Sequence, residues 1–339
     1  MTRPLRIAYL MEDTDLSGGV RIQLAQADAL IDRGHNVTIL TKGAPLAWRA
    51  SRAEWLYVDD FRLADLSPYD FVIATFWTTV QPAFELAGDR VIHLCQGLES
   101  TFTAYEDVRP DIEAVYRLPL PKMVVSPHLR DWLRPFGQEV VWVGQIVDEE
   151  FYRPRRSAEH APLRVLLPGA HQIDFKGVDV GYDAALHARA MGSRFDLIRV
   201  SPWAPSREEP QETASEFHVA LDARAMVDLV HSCDIVLAPS RKEEGFGLPV
   251  AEAMAAGLPA VMTRIPSFLA FDPHRPDYAL WAEENDAIAL GEALMHLLDE
   301  EDVREALGAR GREVVEQYRP HYAAERIEAW LMGKMAERE

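Results

Sequence analysis

The chain has 339 residues, 48% hydrophobic and 26% charged, with a formal net charge of −19. That length predicts two domains, each with its own core. Acid exceeds base in both halves, which argues against nucleic acid as a partner and against tight binding to anionic lipid.

The amino-terminal run LRIAYLM (5–11) reads as a buried strand, so no signal peptide is expected there. No stretch of eighteen apolar residues follows anywhere, so no transmembrane helix is expected and the chain reads as cytoplasmic. After the loop EDTDLSGG, VRIQLAQADALIDRGH reads as a helix with Leu24, Ala27, Leu30 and Ile31 on one face and Gly34 as its stop. Ser17-Gly18-Gly19 therefore lies between strand and helix, where backbone can press against a phosphate. A dinucleotide-binding loop would need G-x-G-x-x-G and an acidic residue ending the second strand. The chain has SGGVRI and Thr41-Lys42 at those places, so NAD is not expected.

Further strands are expected at 36–40, 55–58, 71–76, 90–95, 123–126 and 140–144, with helix-like segments between several of them. His93 lies within a strand and reads as a satisfied core histidine. Gln96-Gly97 follows that strand, and Gln96 can donate to a sugar hydroxyl. Cys95 and Cys233 sit far apart in apolar runs and read as buried reduced thiols. The eleven histidines show no H-E-x-x-H spacing and there is no C-x-x-C, so no metal site is expected.

Residues 146–162 are polar and irregular and read as a linker. Strands then resume at 163–169, 195–201, 234–240 and 259–263, and a helical stretch runs from about 287 to the end. The alternation predicts two mostly parallel, doubly wound sheets. The expected domains are 1–145 and 163–315, with a carboxy-terminal helix over 316–339 that can return to the first. Trp203 reads as cover for the sheet edge. Lys176-Gly177 and Ser240-Arg241-Lys242 fall at strand ends, where open α/β sheets bind ligands.

Residues 243–263, EEGFGLPVAEAMAAGLPAVMT, carry the most chemistry. Glu244 and Glu252 flank Gly245-Phe246-Gly247-Leu248-Pro249, with seven residues between the two carboxylates. The glycines let backbone approach a ligand and expose its N–H groups. Pro249 suits a first helical turn, and Gly257 with Pro259 ends the helix after about two turns. One carboxylate thus precedes an amide-lined loop, and another sits one turn into a helix whose positive end faces that loop. Glu252 is expected at the edge of this site and outside the core. The arrangement suits an anionic group carrying hydroxyls, such as the diphosphate, ribose and sugar of a nucleotide sugar.

The same stretch resembles the donor-site signature of the retaining glycosyltransferases of family four, which have the GT-B fold. That resemblance implies two Rossmann-like domains facing across a cleft, with a nucleotide diphosphate sugar bound by the second and a hydroxyl acceptor by the first. It implies that Glu252 grips the ribose, while Glu244 and the amides of Phe246 to Leu248 hold the donor sugar. It implies donor or acceptor contacts at Gly18, Gly19 and Gln96, and no metal or other cofactor. His218-Val219-Ala220 lies near where relatives recognise the base. Lys176-Gly177 matches the second half of a G-R…K-G pattern whose cations hold the leaving diphosphate. The arginine of that pattern falls on Ala170, so His171, Arg241 or Lys242 is expected to replace it. Other readings on the same fold are a phosphorylase, an epimerase and a non-catalytic subunit that binds nucleotide sugar.

Overall fold

The computed structural model describes residues 3–154 and 162–338. They form two compact units, residues 1–146 with 318–339 and residues 147–317.

The first unit begins with β1 (Arg6–Met11), α1 (Gly18–Asp32), β2 (Asn36–Thr41) and β3 (Glu54–Tyr57). Then come β4 (Phe71–Ala74), α2 (Trp77–Ala87), β5 (Val91–Cys95) and α3 (Arg109–Tyr116). β6 (Lys122–Val124), α4 (His128–Leu133) and β7 (Val140–Trp142) follow. The strands lie in the order β3-β2-β1-β4-β5-β6-β7, all parallel. Their apolar runs are continuous because helices cover both faces of a parallel sheet: all but the first residue of β1 and β2, and every residue of β4 and β5, are buried.

The second unit holds β8 (Leu163–Pro168), α5 (Val178–Ala190), β9 (Phe195–Ser201), β10 (Glu216–Val219) and α6 (Ala223–His231). Next are β11 (Ile235–Ala238), α7 (Leu248–Ala255), β12 (Ala260–Thr263) and α8 (Pro266–Leu269). β13 (Leu280–Ala282), α9 (Ala287–Asp299) and α10 (Glu301–Val315) complete it. This sheet is also parallel, in the order β10-β9-β8-β11-β12-β13. Order reverses between β8 and β11, the place where such sheets bind ligands at the carboxyl ends of their strands. Val165, Leu167, Leu197, Ile235 and Leu237 join Tyr182, Ala185, Leu290 and Leu294 of α5 and α9 in one core.

The last helix, α11 (Pro320–Arg338), belongs to the first unit. Arg33 and His35 of that unit both meet Glu328, and Arg326 lies over the Trp142 ring at 4.1 Å. Lys334 pairs with Glu139 at 2.8 Å.

The helical stretch from 287 is thus three helices, broken at Glu300 and again before Pro320, whose ring cannot continue the preceding helix. β10 and β13 are strands that the apolar pattern does not reveal. Both are short edge strands, and edge strands bury little. Of the expected linker 146–162, residues 155–161 lie outside the described residues. Before them, Phe151 and Tyr152 are buried in the second unit, and Tyr152 donates to the Val315 carbonyl at 2.7 Å.

Candidate functional site

In the second unit, the segment between β8 and α5 turns sharply back at Gly177. Its φ is +60°, and a Cβ there would sit 2.0 Å from the Pro239 carbonyl oxygen. Only glycine meets both conditions. This turn delivers Lys176, whose Nζ lies 2.7 Å from Glu244 Oε2. Ser240 Oγ donates to the same oxygen at 3.2 Å.

Glu244 opens the segment between β11 and α7. The next fixed point is Gly247, which caps α7 with φ +87°, and a Cβ there would lie 2.3 Å from the Phe268 ring. Gly245 and Leu248 are buried, and the Phe246 ring packs edge-on against Phe271 with centroids 5.1 Å apart. Phe246 therefore gives its side chain to the core. Glu252 is fully buried. That corrects the expectation of a carboxylate outside the core: α7 is buried along nearly its whole length, so no face of it presents this position to water.

A narrow pocket, with room for about one water molecule, opens between these segments, lined by Gly169, Lys176, Ser240, Glu244, Gly247 and Val250 among others. Lys176 is the one cation and Glu244 the one acid among its lining residues. The other cations named from the sequence are not among its lining residues. Arg241 donates to Asn285 Oδ1 and Asp179 Oδ2 at 2.8 Å each, and also to Asp174. It braces the turn that carries Lys176. Lys242 is exposed and gives its backbone N–H to Glu284 at 2.9 Å. His171 Nδ1 lies 2.9 Å from Ser206 Oγ, and Ala170 is buried. Trp203 is half exposed, and His218 Nε2 lies 3.0 Å from Glu216 Oε2. Beyond β10, Ala220 holds φ +48°, a left-handed conformation costly for alanine.

Gly18, Gly19 and Gln96 belong to the first unit. Ser17 caps α1 by accepting from the Val20 N–H at 3.2 Å, and Gln96 Nε2 donates to the Gly19 carbonyl at 3.2 Å. The glycine pair and Gln96 are therefore one constellation at the carboxyl ends of β1 and β5. Beside it lies a buried polar group that sequence reasoning did not assign. The Glu99 carboxylate accepts from Tyr116 Oη, and burial pushes its carboxyl up to about 7. Its signal was the spacing from Gln96 in the segment QGLES. His93 is buried as expected, but neither ring nitrogen has a hydrogen-bond partner. It is thus not a satisfied histidine; burial, with Lys122 nearby, drops it to about 3 and keeps it neutral. Both cysteines are buried free thiols. Among the described residues, no three His, Cys, Asp or Glu gather as metal ligands, and no helix is long and apolar enough to cross a membrane.

Two parallel, doubly wound units with a pocket at one switch point define the GT-B fold, and solved structures agree. The Anabaena protein HepE, in complex with UDP-glucose, superposes with a TM-score of 0.76 at 13% identity, over 97% of this chain and all of that one. Residues 206–314 match the family model described as glycosyl transferases group 1. An uncharacterised glycosyltransferase of Methanocaldococcus jannaschii is 30% identical over 149 residues, which are 42% of this chain and 40% of that protein. A phosphatidyl-myo-inositol mannosyltransferase of Mycobacterium leprae is 23% identical over 346 aligned positions, 90% of each chain. Residues 206–314 thus resemble the group 1 glycosyltransferases, and the chain as a whole is similar to a glycosyltransferase over 90% of its length.

Proposed function

We propose that the chain is a retaining, metal-independent glycosyltransferase that moves a sugar from a nucleotide diphosphate sugar to a hydroxyl acceptor. The observation that carries this reading is the Lys176–Glu244 pair, 2.7 Å apart in a pocket at the switch point of the second sheet. A cation and an acid side by side suit a ligand with a diphosphate at one end and sugar hydroxyls at the other. The binding of UDP-glucose by HepE supports a nucleotide sugar as donor.

In this reading the donor's C1–O bond to the diphosphate breaks as the acceptor oxygen bonds to C1 from the same face. The acceptor proton passes to a departing phosphate oxygen. Lys176 stabilises charge that grows on the diphosphate, an effect largest in the transition state. The amino-terminal end of α7, with the backbone of Gly245 to Leu248, faces the donor. Glu244 takes the sugar hydroxyls. Gly18, Gly19 and Gln96 serve the acceptor or the distal phosphate. Arg241 acts by holding the Lys176 turn. Buried, unpaired thiols suit work in the reducing cytoplasm.

One observation favours a second reading. With Ala170 in place of an arginine and Arg241 tied to aspartates, Lys176 is the lone cation lining the pocket. A subunit that binds nucleotide sugar without turning it over would need no more. A thermal-shift panel of nucleotides and nucleotide sugars tests binding, since a ligand of the folded state raises stability by mass action. Transfer assays with and without excess chelator, with the product anomer read by NMR, test the rest. The proposal expects transfer with retention and undiminished turnover in chelator. Binding without transfer selects the second reading, and metal-reversible loss of turnover refutes metal independence. The one Asp-x-Asp triplet, Asp13-Thr14-Asp15, lies in the first unit after β1.

A further inference from the structure

Arg199 on β9 is fully buried, as is the side chain of its partner Glu209. Glu209 Oε1 accepts from Arg199 Nη2 at 2.7 Å, from Arg199 Nε at 3.0 Å and from Tyr182 Oη at 3.1 Å. Arg199 Nη2 also donates to the Gly169 carbonyl at 2.9 Å, and Nη1 donates to the carbonyls of Leu167 and Val200. The five N–H groups of the guanidinium are all engaged. Glu209 Oε2 is buried with no hydrogen-bond partner, so half of this carboxylate is held by charge alone.

A buried ion pair is poor evidence for stability, because apolar side chains of equal volume fill the same space as well. What this pair does is fix geometry. Leu167 and Gly169 are where β8 ends and the Lys176 segment begins. A methyl placed on Gly169 would lie 3.3 to 3.5 Å from Cβ, Cγ and Cδ of Lys176, so the lysine stem runs against that residue. Glu209 in turn anchors the segment after β9, which is tied twice more to the Lys176 segment. Gln172 Nε2 donates to the Ala204 carbonyl at 2.7 Å, and His171 meets Ser206 at 2.9 Å.

We propose that Arg199 and Glu209 are positioning residues: by pinning the Gly169 carbonyl they set the Lys176 ammonium at the place of the donor's diphosphate. This inference rests on reading the pocket as a donor site. It also explains how Lys176 can serve as the one cation lining the pocket, since a single charge must be aimed well.

The test compares affinities for a nucleoside diphosphate and its monophosphate, using UDP with UMP, GDP with GMP and ADP with AMP on the full chain. The ratio isolates the distal phosphate from the base and ribose. Wild type is expected to favour the diphosphate, and Lys176→Ala to lose that preference. Glu209→Gln and Arg199→Lys are expected to cut the ratio about three- to tenfold while monophosphate affinity stays within about twofold. Tyr182→Phe, a milder change that leaves the ion pair in place, is expected to cut it by less than either. A wild-type ratio in folded Glu209→Gln or, should that variant not fold, in Tyr182→Phe together with Arg199→Lys overturns the positioning role. A wild type that binds none of the six nucleotides overturns the donor-site reading first, and the inference with it.

Discussion

Lys176 and Glu244 stand 68 residues apart in the chain and 2.7 Å apart in the fold, with Glu244 almost fully buried. The acid therefore occupies the cation that a diphosphate would seek. Under the proposed reading a diphosphate competes with Glu244 for Lys176, and a donor sugar compensates by offering hydroxyls to the acid. A nucleoside diphosphate without sugar offers nothing in return.

Glu244→Gln should therefore separate product from donor. Removing the competing charge should tighten nucleoside diphosphate binding by about three- to tenfold, the range of a modest charge-assisted contact. Transfer should fall, because the amide no longer accepts from sugar hydroxyls as strongly. Calorimetric titration of both ligands checks this; equal weakening for diphosphate and for donor would show that Glu244 does not compete for the lysine.

Lys176→Ala should lower turnover more than it weakens donor binding. Its contact strengthens as the leaving group gains charge, and losing one such donor costs about a hundred- to a thousandfold in rate. Parallel kinetics on Arg241→Ala and Lys242→Ala should show much smaller losses of turnover. Wild-type turnover in Lys176→Ala would falsify the leaving-group role.

Ala220→Gly should raise stability. The left-handed conformation costs alanine roughly 1–2 kcal/mol, and glycine's greater freedom when unfolded returns part of that, leaving about 0.5–1 kcal/mol. Denaturant midpoints of the two proteins, at equal slope, measure it. A lower midpoint in the variant would mean that the methyl makes a contact worth more than the strain.

Glu99 should make stability depend on pH. Burial raises its carboxyl from 4.5 to about 7, so the folded chain keeps a proton that the unfolded chain releases. Its contribution is fully present below the unfolded value and is lost as pH rises through the folded one. Between pH 4.5 and about 8 the wild type should lose about 2–4 kcal/mol that Glu99→Gln keeps. Denaturation curves at both pH values check the difference; parallel pH profiles for the two proteins would show that Glu99 titrates normally.

The parallel sheets were legible because strands buried on both faces read as unbroken apolar runs, as LRIAYLM and FVIATF do. EFHV and LWA were not, because edge strands carry polar or few residues. The site was legible at its glycines and carboxylates, whose spacing is local. Arg199 was not, since one arginine inside FDLIRVS finds its meaning in carbonyls of the neighbouring strand and in an acid on a later loop. Nor was the engagement of Arg241, whose partners Asp174 and Asp179 precede it by more than sixty residues. The burial of Glu252 escaped for a related reason: sequence shows the turn of α7 on which it lies, but not that the core surrounds that turn.

The return of α11 to the first unit makes the second unit an insertion, entered at residue 147 and left at 317. Ala323, Ala324, Ile327 and Leu331 of α11 are buried. A ribosome releases them only after the whole of the second unit. Chains usually fold amino-terminal domain first during synthesis. Here the order is inverted: residues 147–317 emerge before α11, so the sheet begun by β1 waits for that helix until the inserted unit has been made. The first unit is finished only after the unit inserted into it.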